Sequence, residues 1–117
     1  MAANRKFQDS RHLSVTVSDP TTPAAGDPVR WGDRVGVAEK DERADGVTEV
    51  DFGGAYDLSV KGVNDGGNSA VVPGDSIYYV DADTPKLSKK VTGGTFYGFA
   101  MEAVDAGATA TITVATR

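Results

Sequence analysis

Residues Ala110 to Val114 read Ala-Thr-Ile-Thr-Val, and this alternation decides the fold class. Ala110, Ile112 and Val114 fall on one side of an extended chain and Thr111 and Thr113 on the other, the period of two that a half-buried strand requires. The same pattern recurs upstream. Leu13, Val15 and Val17 alternate with Ser14 and Thr16, and Tyr56, Leu58 and Val60 alternate with Asp57 and Ser59. Further extended stretches are expected over Pro28 to Trp31, Arg34 to Ala38, Val47 to Phe52, Ser76 to Val80 and Thr95 to Ala103, with a short one around Lys86 to Val91. Between them lie turn-rich segments: SDPTTPAAGDP, the charged EKDERADG, and VNDGGNS.

Composition supports the same reading. The chain has 15 Val and 11 Thr against 3 Leu, and 14 Gly. Branched side chains lose rotamer freedom in a helix but pack well on a pleated surface. No window of ten or more residues carries a helical apolar stripe. The expectation is an all-β protein, a small single-domain sandwich or barrel of about seven to nine short strands. At 117 residues it is one domain with enough chain to bury a core without a metal or disulfide staple.

Charge is uneven along the chain. Residues 1–12 hold Arg5, Lys6 and Arg11 against Asp9, a sum of +2, while the remaining 105 residues carry 9 basic and 16 acidic side chains, or −7. The first stretch has no strand period and reads as a flexible basic arm, with the β-domain over 13–117. Its polar start has no apolar core of the kind a secretory signal needs. No apolar run is long enough for a membrane helix, and an acidic body argues against nucleic acid as partner.

The chemistry of catalysis is missing from the residue inventory. There is no Cys, and His12 is the sole histidine, at the foot of the arm. A zinc site or a Ser-His-Asp triad needs more than that. The loop from Asp41 to Gly46 fails as a calcium loop, because Arg43 stands at a ligand position and Phe52 where the closing Glu belongs. Asp81 and Asp83 read as solvated loop carboxylates, and no P-loop exists. The expectation is a non-enzyme with no catalytic residue, no metal and no cofactor.

Aromatic residues carry the interface expectation. Tyr78-Tyr79 and Phe96-Tyr97 are adjacent pairs on strands, so one member of each should be core and the other should face outward. Outward amphipathic rings are favoured anchors. The candidate capsid or subunit interface residues are Arg5, Lys6, Phe7, Arg11, Trp31, Tyr78, Tyr79, Phe96 and Tyr97.

Four blocks carry a resemblance: AAGDPVRWGDRVGVA at Ala24 to Ala38, VTEVDFGGAYDLSV at Val47 to Val60, VPGDSIYYVDAD at Val72 to Asp83, and GFAMEAVDAGATATITV at Gly98 to Val114. In order and spacing the chain resembles the tailed-phage capsid cement, or head decoration, proteins. Relatives have sometimes been labelled predicted recombinases, which the missing P-loop argues against. The resemblance implies a structural protein of the virion, made in the host cytoplasm and bound to the outer surface of the head. It implies the major capsid protein as partner, self-association as a homotrimer, and stabilisation of the shell against DNA pressure. The alternative is a phage-associated surface module that binds carbohydrate through Trp31 and exposed tyrosines.

Overall fold

The computed structural model describes residues 11–116. Among these residues there are eleven strands and no helix. They are β1 (His12–Val15), β2 (Pro28–Trp31), β3 (Arg34–Ala38), β4 (Thr48–Asp51), β5 (Ala55–Lys61), β6 (Val63–Asn64), β7 (Gly67–Asn68), β8 (Ser76–Tyr79), β9 (Leu87–Ser88), β10 (Thr95–Ala100) and β11 (Thr109–Thr116). The count exceeds seven to nine because VNDGGNS, read as a loop, closes into the miniature β6–β7 hairpin, Val63 opposite Asn68 and Asn64 opposite Gly67. Two-residue strands are too short to show a period.

The first four strands form an antiparallel sheet in the order β1-β4-β3-β2. Past β1 the chain returns along the outer edge of β2. Ser18 and Asp19 donate their N–H groups to the Arg30 carbonyl at 2.8 and 3.1 Å, and Arg30 donates back to Asp19 at 2.8 Å. The sheet thereby wraps a small core of Val29, Ala38, Val50 and Phe52, against which Leu13, Val15 and Val17 pack. These are the apolar residues of the LSVTV alternation, with Ser14 and Thr16 exposed.

The other principal strands close a barrel in the order β10-β11-β5-β9-β8. Its long seam is β5 against β11, with Leu58 opposite Ile112 and Val60 opposite Ala110. The main core gathers Leu58, Val60, Ile77, Tyr79, Leu87, Tyr97, Ile112 and Val114, and Val35 and Val37 of β3 reach into it from the first sheet.

Two polar links hold the sheets together. The buried Tyr97 hydroxyl donates to the Gly36 carbonyl at 2.7 Å. A second network joins Arg30 on β2 to Asp81 beyond β8, bidentate at 2.7 and 2.9 Å. Beside it, Asp19 accepts from the Tyr79 hydroxyl and pairs with Lys86 at 2.9 Å. Burial and the bond to Asp19 push the Tyr79 phenol above its ordinary range, and Arg30 holds the Asp81 carboxyl below its own.

Candidate docking surfaces

Three surfaces collect the residues singled out above. Arg5, Lys6 and Phe7 lie outside the described residues, as does most of the expected arm. Arg11 and His12 lie inside them, and both touch the domain. Arg11 spans 40 residues of sequence to grip Asp51, Nε to Oδ1 at 2.8 Å and one terminal nitrogen to Oδ2 at 3.2 Å. Asp51 is buried and also accepts from the Tyr56 hydroxyl and from the Gly53 N–H at 3.0 Å. The Arg11 guanidinium, with help from Tyr56 and Gly53, holds the Asp51 carboxyl well below the usual range. The same hydrogen bond pushes Tyr56 up to about 12. His12 begins β1 and lies 2.7 Å from Glu39, whose hydrogen bond raises the imidazole's pKa. This cluster roots the start of the described chain.

The second surface is an open groove of about 680 Å³ at one end of the first sheet. Trp31 and Arg34 form its lip. They pair across a two-residue turn in which Gly32 takes a φ of 61°, the left-handed geometry that a mirror-image hairpin turn needs at that position. Trp31 remains 38% exposed and its ring lies 5.8 Å from that of Phe52 on the groove wall. The Arg34 guanidinium sits 4.3 Å over the Phe52 ring.

The third surface is the outer face of the barrel along β10. Here the register against β8 shifts: Phe96 faces Tyr78, but Gly98 faces Ile77, leaving Tyr97 as the extra residue of a bulge. Without the bulge, period two would put Phe96 and Phe99 on opposite faces. With it they share the outer face, their rings 5.3 Å apart and edge to face. Tyr78 joins at 5.6 Å from Phe96. Phe99 is 45% exposed and Met101, two residues on, 54%. The cross-strand neighbours of Phe99 are Ser76 and Ala115, both uncharged. Tyr79 and Tyr97, the other halves of the two pairs, are fully buried with their rings 6.2 Å apart. Of the four tyrosine and phenylalanine candidates, the outward members are therefore Tyr78 and Phe96. Phe99 and Met101 were missed, because a bulge leaves no mark on the residue pattern.

No group of three or more His, Cys, Asp or Glu able to hold a metal occurs among the described residues. Trp31 on the groove and Phe99 and Met101 on the barrel are the exposed large apolar side chains of these surfaces. A family model for phage cement proteins matches residues 7–116, nearly the whole chain and all three surfaces.

The chain belongs to the phage cement protein family. No curated protein and no solved structure matches it. As a phage cement protein it has a structural, capsid-associated role, its partner is the phage capsid and its place is the virion. A structural family of this kind implies a non-enzyme.

Proposed function

We propose that this cement protein binds the outer surface of the phage head, on the major capsid protein, and stabilises the shell against the pressure of packed DNA. The observation that carries the reading is the extent of the family match, which covers residues 7–116. The physics is mass action: a ligand that binds the assembled shell and not its free subunits shifts the balance toward the shell. Repetition over a lattice multiplies weak contacts. The alternative module for carbohydrate would gather its rings on one concave face. Here they divide between the Trp31–Phe52 pair and the Tyr78–Phe96–Phe99 cluster on the barrel wall.

Heads assembled without the protein provide the test. Adding it back should raise the temperature at which they release DNA, and a density map should place it outside. Equal release temperatures with and without it, or an inner location, would overturn the reading.

The proposed homotrimer uses the barrel face. An apolar patch with uncharged neighbours is where copies of a chain of net charge −5 meet with least repulsion, and a closed threefold ring repeats the same head-to-tail contact around its axis. Phe99→Glu should leave the melting temperature of the free protein nearly unchanged, because that ring is half in water. It should abolish oligomers in sedimentation at concentrations where the parent forms them. A variant that still assembles would remove this face from the model.

A further inference from the structure

Among the described residues, eight ion pairs engage Arg11, His12, Arg30, Lys40, Arg43, Lys86, Lys89 and Lys90. Among the described residues Arg34 has no carboxylate within ion-pair distance. Its guanidinium is stacked on Phe52 instead and opens onto the groove beside Trp31. Asp33, at the hairpin tip, is already engaged in an interaction of its own. A guanidinium with one face covered by a ring keeps its N–H edge free and loses less side-chain freedom when it accepts a carboxylate. The adjacent indole offers a flat apolar surface for whatever carries that carboxylate.

The Phe52 N–H donates to the Arg11 carbonyl at 2.7 Å, so Arg11 meets the fold at the residue whose ring Arg34 covers.

We propose that this groove is the capsid-docking pocket and that it takes an acidic side chain flanked by apolar residues, presented by a loop of the capsid subunit. The carboxylate pairs with Arg34 and the apolar neighbour packs on Trp31. The proposal rests on the cement reading for the identity of the partner. Its chemistry, a carboxylate beside an apolar group, rests on the groove alone.

Trp31 is the sole tryptophan, so its fluorescence reports on the groove directly. Titration with undecorated heads should shift its emission to the blue and protect it from acrylamide. Arg34→Gln should weaken head binding about tenfold, as expected for an anchor at the centre of an interface, while leaving the melting temperature in place. Arg34→Lys should recover part of the loss, because it restores charge without the planar stack. A blocked synthetic peptide alternating glutamate and leucine should protect Trp31 weakly, and its glutamine counterpart should not. If heads bind but Trp31 emission is unmoved and Arg34→Gln binds as the parent does, the pocket is overturned and the cement reading stands. If heads do not bind at all, the cement reading fails, and a peptide that gives no protection would then remove the pocket's chemistry as well. Protection by a hexuronate oligosaccharide, with none from heads or peptide, would overturn the assignment in favour of a sugar.

Discussion

Gly98→Ala is expected to destabilise the protein by about 3 kcal/mol, the upper end for inserting a methyl group into a packed site. A Cβ on Gly98 would lie 2.0 Å from the Ala115 carbonyl oxygen and 2.9 Å from the Thr116 Cα. Both obstacles are backbone of β11, and β11 is held on its other side by seven paired positions of β5. The clash therefore cannot relax by a rotamer change. It can relax only by parting β10 from β11, which opens the closed barrel. The control is Gly66→Ala, where the nearest atom to the new methyl is the Asn64 side-chain oxygen at 3.4 Å; its effect should stay within about 0.5 kcal/mol. Urea denaturation of the two variants decides the matter. Equal midpoints would mean that the β10–β11 approach is looser than described.

The second large effect concerns the root of the chain. A chain shortened to start at Leu13 is expected to lose about 3 kcal/mol, whereas one starting at Arg11 should fold as the full chain does. The two chains differ by Arg11, the partner of Asp51, and by His12, whose exposed pairing with Glu39 adds little. Removing one member of a buried pair leaves a charge without compensation, at a cost of about 3–5 kcal/mol. The Arg11 side chain is 52% exposed, which lowers its share, while loss of the Arg11 carbonyl bond to Phe52 adds to it. The pH dependence follows from the direction of the Asp51 shift. Its folded pKa is depressed, so the stabilisation is complete above the unfolded value of about 3.9 and is lost as pH falls toward the folded value. The gap between the two shortened chains should therefore be widest near neutrality and narrow below about pH 4. A gap that persists unchanged at pH 3 would exclude the Arg11–Asp51 pair as its cause.

The same comparison isolates the basic segment. The chain starting at Arg11 keeps its stability but lacks Arg5 and Lys6, so weaker head binding would report on docking alone. Such charges act mainly on association rate and fade with salt, so the deficit should shrink at high ionic strength. Identical binding at low and high salt would make the segment idle.

What the residues reveal by themselves follows from the range of the forces involved. Alternation is local, and it correctly turned Leu13, Val15, Leu58, Val60, Ile112 and Val114 inward. It also separated Tyr78 from Tyr79 and Phe96 from Tyr97. The bulge at Tyr97 escaped it, because one unpaired residue changes the parity of everything beyond without changing composition. Strict alternation would put Phe99 on the buried face of Tyr97, and the bulge turns it to the surface. The Arg11–Asp51 grip escaped for another reason. Its partners stand 40 residues apart, and the acidic chain offers Arg11 many other carboxylates. Only the pairing of β1 with β4, His12 opposite Asp51, selects this one.

The closure of the barrel and the covering of β2 have a consequence for life on a crowded shell. A strand that leaves its N–H and C=O groups unpaired is a template on which a neighbour's strand can zip. Here the barrel has no free border, and the return of Ser18 and Asp19 along β2 seals the edge beside Trp31. Copies held shoulder to shoulder on a curved lattice can thus be dense without coalescing into fibres. The barrel face and the Trp31 groove therefore offer side chains, which choose their partners, and not bare backbone, which does not.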